Sequence, residues 1–202
     1  MGCTKLVRMD LATIEEIRQV KYRYLRCVDL KLWDELAEVF TPDATVDYGT
    51  QVYGKPLKLA GRDEIVGFLR DKLGPEMITV HRAGQPEITV DGDAARGIWS
   101  FEDTVIATKY RVAIVGAAFY QDRYERGDDG RWRIAHTGYV RTYEAMLSLD
   151  DLPSFRLTAK LAAEGTAVGG AGVTDEVRAE AGAGADGAGA ADGADVADAA
   201  VR

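Results

Sequence analysis

The strongest constraint on the fold is a change of hydrophobic period near Met77. Before it, apolar residues recur about every 3.6 residues, as on one face of a helix. After it they alternate, as on one face of a strand. Asp10 to Leu30 reads as a helix, with Leu11, Ile14, Ile17, Val20, Tyr24, Leu25 and Val28 on its stripe. Thr13 followed by Glu16 reads as a capping box. A second helix is expected over Leu32–Phe40, ended by Thr41-Pro42-Asp43, then a strand over Ala44–Tyr48. A third helix, Arg62–Leu73, is closed by Gly74-Pro75.

Beyond Met77 the expected strands are Ile78–Ala83, Glu87–Val90, Ala94–Ala107, Arg111–Arg126 and Arg131–Thr142. Asp91-Gly92-Asp93 and Gly127-Asp128-Asp129-Gly130 are turns between them. Long strands joined by tight turns pair antiparallel. Helices first and a strand meander second define an α+β fold with a curved sheet.

Charge narrows the partners. Of the net −8 over 202 residues, the segment from Glu164 onward carries −6, so residues 1–163 are nearly neutral. A neutral body offers no basic field for nucleic acid and no polybasic patch for a membrane surface. The two cysteines, Cys3 and Cys27, form neither a disulfide framework nor a zinc spacing. No apolar run reaches the ~18 residues of a membrane span, so a cytoplasmic protein is expected. The Ala/Gly/Asp-rich stretch from 165 has no aromatic residue and cannot offset its ordering entropy. The chain thus divides into an extension over 1–9, one domain over 10–148, a C-terminal extension over 149–164 and a disordered tail over 165–202.

Several polar residues fall at apolar positions. Asp29 lies at the edge of the helical stripe, and Tyr24 precedes it by five residues on the same helix. Tyr48 shares a strand face with Ala44 and Val46, so it points inward and needs a partner for its hydroxyl. His81 shares a face with Met77, Thr79 and Ala83 and is the side chain best suited to proton transfer near neutral pH. Asp103 alternates with Trp99, Phe101 and Val105. An inward carboxylate requires a cation or a donor, and His81 is the expected partner. Arg141 closes the last expected strand. His136 shares a face with Trp132, Ile134 and Val140 and reads as structural. There is no nucleotide-binding glycine pattern, G-x-S-x-G or metal-ligand cluster, so no cofactor and no metal are expected.

The stretches YRYLRCVDLKLWDELAEVFTPDATVDYG (22–49), HRAGQPEITVDGDAARGIW (81–99) and DGRWRIAHTGY (129–139) resemble the SnoaL-like superfamily. Within it they are most similar to the bile-acid 7α-dehydratases and scytalone dehydratases. The resemblance implies a cone-shaped mixed sheet wrapped around N-terminal helices, one deep pocket, and a homodimer or homotrimer. It also carries over Tyr24, Asp29, Tyr48, His81, Asp103 and Arg141 as pocket residues. The scytalone type has a second histidine where Trp99 stands and an asparagine, a residue type absent from this sequence. The expected activity is a cofactor-free hydro-lyase acting beside a carbonyl on a small alicyclic, steroid-like or polyketide-like substrate. A cyclase or isomerase, or a non-catalytic ligand-binding module, are the alternatives. In this reading His81 is the base, Asp103 or Asp29 holds it, Tyr24 and Tyr48 donate, Arg141 anchors a carboxylate or carbonyl, and Trp99, Phe101 and Met77 line an apolar cone.

Overall fold

The computed structural model describes residues 11–50 and 57–160. The expected extension over 1–9, the last four residues of the 149–164 segment and the acidic tail lie outside the described residues. Helix α1 (Leu11–Leu30) lays Ile17, Val20, Tyr24, Leu25 and Val28 against the sheet. Thr13 sits buried inside α1, so it does not cap the helix. At the other end, Leu32 N–H donates to Cys27 O (2.9 Å) and Lys31 N–H to Val28 O (3.4 Å). These paired bonds are a Schellman closure, and Lys31 occupies its left-handed position with φ 61°.

Helix α2 (Trp33–Val39) buries Trp33, Leu36 and Val39, and strand β1 (Phe40–Tyr48) follows without a gap. The helix stops at Val39, one residue short of the expected Phe40, and Thr41-Pro42-Asp43 lies within β1. The pairing register shifts between Phe40 and Thr45, where Pro42 has no N–H to give the ladder. Strand β2 (Leu57–Ala60) was not expected, being too short for a period to show. Gly61, at φ 95°, turns the chain into helix α3 (Arg62–Lys72), a conformation that favours glycine.

Four long strands complete the sheet: β3 (Met77–Asp91), β4 (Ala94–Ala107), β5 (Val112–Arg126) and β6 (Trp132–Ser148). The two short strands expected around residues 78–90 are one strand, bent by a register shift between Gly84 and Glu87 with Gln85 at φ 45°. β6 runs six residues past the expected Thr142. The strand order is β2-β1-β6-β5-β4-β3, antiparallel except for the parallel β1–β6 pair. The result is an open six-stranded mixed sheet curled over three helices, the α+β cone that the alternation and the family resemblance implied. The core lies between the concave face and the helices, where Trp99, Phe40, Leu36 and Ile134 are fully buried. Truncating a side chain such as Leu36 to alanine would cost about 2–5 kcal/mol.

Two further shifts, between Ala117 and Ala118 and between Arg123 and Tyr124, are opposed by extra residues in β6. Each reverses which β6 residues face inward. The shift near Ala135 carries His136 to the face away from Ile134, where Thr45 Oγ1 lies 2.8 Å from its Nδ1. His136 is therefore structural, as expected, but not on the face expected.

Candidate active site

A cavity of about 130 Å³ opens between α1, α3 and the concave sheet face. Tyr24 and Val28 of α1, Tyr48 of β1, Met77, Thr79 and His81 of β3, and Phe101 and Asp103 of β4 all line it. Tyr120 of β5 and Tyr139, Arg141 and Glu144 of β6 complete the sheet wall, and Phe68, Leu69 and Leu73 close it from α3.

Asp29 reaches across from the end of α1 to β3. Its Oδ1 lies 2.5 Å from His81 Nδ1, and its Oδ2 accepts the His81 backbone N–H at 2.9 Å. Thr79 Oγ1 also donates to Oδ1, at 2.9 Å. The carboxylate has no proton to give, so the single Thr79 hydroxyl proton goes to Asp29, while the Thr79 oxygen accepts from Lys31 Nζ at 3.0 Å. A carboxylate that accepts from every neighbour leaves the imidazole proton on Nδ1 and the lone pair on Nε2. Phe101 stacks on the imidazole, with ring centroids 5.7 Å apart and planes 9° from parallel. Packing and two hydrogen bonds therefore hold His81 in one orientation.

Asp103 does not serve His81. Its two oxygens accept from Arg141 Nη1 (2.6 Å) and Nη2 (2.8 Å) in a forked pair. Arg141 Nη2 also lies 3.1 Å from Glu144, whose carboxylate accepts from Thr50 Oγ1 at 2.9 Å. The Asp103 side chain is 5% exposed and that of Arg141 11%. Burial works against the guanidinium charge, but Asp103 and Glu144 more than restore it, holding its pKa above the ordinary value. With one cation between two anions, the cluster has a net negative charge. Arg141, expected to anchor a substrate carboxylate or carbonyl, lines the cavity with its guanidinium held by these two carboxylates. Gly116 on β5 makes room for the pair: a Cβ there would sit 2.6 Å from Arg141 Nη1 and 2.9 Å from Asp103 Oδ1.

The Tyr24 and Tyr48 hydroxyls lie 2.9 Å apart. Burial is the main reason both phenols titrate well above their usual value, so both stay protonated through the neutral range. A further hydrogen bond joins Tyr24 to Tyr120, so the three phenols form one chain with a single proton left to point at a ligand. Tyr120 packs edge-on against Tyr24 and adds a third phenol to the wall.

Trp99 does not line the cavity. It is fully buried, and its indole N–H donates to Tyr124 Oη at 3.0 Å. Tyr124 in turn donates to Asp122 (2.7 Å), as does Thr137 (2.7 Å), and Lys21 Nζ lies 2.9 Å from the same carboxylate. The Lys21 ammonium also sits 3.2 Å from the centroid of the Tyr120 ring. Burial lowers the Lys21 pKa, and Asp122 opposes that shift. This polar core lies behind Tyr120 and supports the wall from outside the cavity.

Of the residues singled out in the sequence, Tyr24, Asp29, Tyr48, Met77, His81, Phe101, Asp103 and Arg141 gather at the cavity, Asp29 through its bond to His81. Thr79, Tyr120, Glu144 and the Lys21–Asp122 pair were missed. Thr79 shares the His81 face two residues away, and Asp122 alternates with Tyr120 and Tyr124, so parity could have found both. Glu144 lies three residues beyond Arg141, and only the bulge brings it to the same face.

The comparisons with known proteins agree with this architecture. The SnoaL-like domain family model matches residues 9–138, and the chain belongs to that family. It is 30% identical over 155 residues to the uncharacterised protein Rv2910c of Mycobacterium tuberculosis, covering 72% of this chain and 99% of that protein. Among solved structures, a candidate scytalone dehydratase from Novosphingobium aromaticivorans matches with TM-score 0.60 and 22% identity, over 67% of this chain and 88% of that one. The hexachlorocyclohexane dehydrochlorinase LinA-type3 from Novosphingobium barchaimii matches with TM-score 0.59 and 21% identity, over 68% and 92%. At such identities the likeness is one of fold. Among the described residues, no helix is long and apolar enough to cross a membrane.

Proposed function

We propose that this protein is a lyase that removes water beside a carbonyl, using only its own side chains. The observation that carries the reading is the Asp29–His81 dyad set in the same cavity as the Tyr24–Tyr48 hydroxyl pair. His81 Nε2 takes the proton from carbon, and the new double bond forms as the carbon–oxygen bond breaks. The departing oxygen keeps that electron pair and collects a proton from the tyrosine pair, leaving as water. Hydroxide is a poor leaving group and needs such an acid, whereas a halide does not. The phenol pair thus favours dehydration over loss of halide from the same base. A cyclase or isomerase would use the same base and donors without losing water.

The cavity indicates the kind of substrate. A cavity of about 150 Å³ holds one benzene ring, so this one encloses a single ring and any fused system extends through the mouth. The net negative Asp103–Arg141–Glu144 cluster disfavours a carboxylate and suits neutral alicyclic or aromatic hydroxy-ketones. Incubation with a panel of such compounds, read by mass spectrometry, tests the reading. Loss of one water in wild type and not in His81→Ala is expected. Conversion without change of mass would make the protein an isomerase, and no conversion of any ring-sized compound would leave a binding module.

The reading includes self-association into a dimer or trimer. Ile98, Phe119, Val140 and Tyr143 are exposed on the convex face of three adjacent central strands, and Phe119 and Val140 are register partners. An apolar sheet face of this kind fits a second copy of itself. Sedimentation equilibrium should give an oligomer for wild type and a monomer for Phe119→Glu/Val140→Lys.

A further inference from the structure

Lys31 stands where a lysine is unfavourable. The left-handed position of a Schellman closure is usually glycine, because a Cβ there is crowded. Lys31 nevertheless adopts φ 61° at that position. Its side chain does not run into solvent. The ammonium turns back and donates to Thr79 Oγ1 at 3.0 Å, and Thr79, itself buried, donates to Asp29 Oδ1 at 2.9 Å. Burial lowers the Lys31 pKa to about 8, with Asp29 opposing the shift. Lys31 thus combines an unfavourable backbone with a partly buried ammonium that bonds to the threonine held by Asp29.

We infer that Lys31 is a positioning residue of the dyad: through Thr79 it fixes the hydrogen-bond direction at Asp29 and sets a positive charge behind His81. Two effects follow. By taking one lone pair of Thr79, the ammonium favours the rotamer whose proton points at Asp29, so the carboxylate keeps all its bonds as an acceptor and the ring is held with Nδ1 towards it. The cation also disfavours imidazolium, against the opposite pull of Asp29.

The other charges nearby are accounted for. Asp29 faces His81 from α1, Asp103 lies across from it on β4, and Arg141 and Glu144 stand behind Asp103 on β6. Lys72 of α3 lines the same cavity. On the outer side, Arg70 of α3 and Lys160 share a second cavity with Lys31. Arg70 lies 3.4 Å from Asp34 and Lys160 3.9 Å from Glu76. Among the described residues, Lys31 is the cation that bonds to Thr79.

This inference rests on the reading of His81 as the base, and its test is chosen to separate the two. The chain has two histidines, so imidazole titration by NMR resolves His81 with His136 as an internal reference. Lys31→Gly should raise the His81 midpoint by roughly half a pH unit and leave His136 unmoved. Lys31→Arg, which keeps the charge, should leave both unmoved. Lys31→Met, which keeps the aliphatic stem, should repeat the glycine shift. The glycine variant should also melt about 2–4 °C higher, since it relieves the left-handed backbone. Turnover of a confirmed substrate should fall on the acid side of its pH profile and recover in Lys31→Arg. A His81 midpoint that moves no more than that of His136 overturns the inference. If it moves while His81→Ala keeps its turnover, the coupling stands and the assignment of the base falls.

Discussion

His81 and Asp103 stand directly opposite each other on β3 and β4, yet each bonds away from the other. His81 turns to Asp29 on the helix, and Asp103 turns to Arg141 two strands away. The sheet wall thus carries two separate polar units, one poised to move a proton and one that holds the strands together and sets the local charge.

The first unit predicts an order of damage. His81→Ala should lower turnover by about 10²–10⁴. Asp29→Asn should fall in the same range, because an amide cannot accept from Thr79 and from both His81 donors while keeping the ring in its tautomer. Asp103→Asn should cost less in turnover than Asp29→Asn. Steady-state rates on one substrate, with circular dichroism of each variant, decide it. Equal loss in both aspartate variants would contradict the division of roles.

The second unit predicts an effect on stability. Arg141→Met leaves the buried Asp103 without its cation and should destabilise the fold by about 3–5 kcal/mol. Gly116→Ala should cost about 1–3 kcal/mol by pushing a methyl group into the Arg141–Asp103 contact. Urea denaturation midpoints measure both. A Gly116→Ala midpoint equal to wild type would mean that the pair yields without cost.

Much of this arrangement was legible in the sequence, and the part that was not has a physical reason. The period change at Met77 placed the helices and the long strands, because burial on one face imposes the alternation. Parity put Asp103 inward, but it could not say which neighbour the carboxylate would choose. His81 lies on the adjacent strand and was the expected partner; Arg141 lies beyond β5, at a distance only strand order reveals. Bulges defeat parity altogether, which is why Glu144 was missed and His136 was placed on the wrong face. Trp99 shares a face with Phe101, yet a sheet face continues past the cavity into the core.

The tyrosine pair should behave as one unit. Tyr24→Phe and Tyr48→Phe should each lower turnover by about 10–100-fold, below the 10²–10³ typical of a dedicated oxyanion donor, since the remaining hydroxyl can still donate. The double variant should fall well short of the product of the two single effects. Multiplicative losses would show two independent donors.

His136 predicts a pH dependence of stability. Burial, and then the nearby Arg123, lower its pKa from the ordinary value. The folded chain therefore binds this proton less readily than the unfolded chain, whose histidine titrates near 6.5. Its contribution should be complete above about pH 6.5 and should shrink as pH falls through the folded value. The stability gap between wild type and His136→Gln should be smaller at pH 5 than at pH 7.5. A gap that does not change between these two pH values would mean that the ring titrates alike in both states.

The parallel pairing of β1 with β6 governs the order in which the site comes into being. Tyr24, Asp29 and Tyr48 are made first, in the N-terminal quarter of the chain, but β1 has no inner neighbour until β6 exists. The β3-to-β6 meander closes through local turns, whereas the β1–β6 contact joins segments about ninety residues apart, such as Thr45 and His136. Such distant contacts form late. On a ribosome β1 must therefore wait for almost the whole domain to emerge before its inner edge is paired. The proton-transfer pair joins α1 to β3 across 52 residues, a shorter span than the one that completes the sheet between β1 and β6.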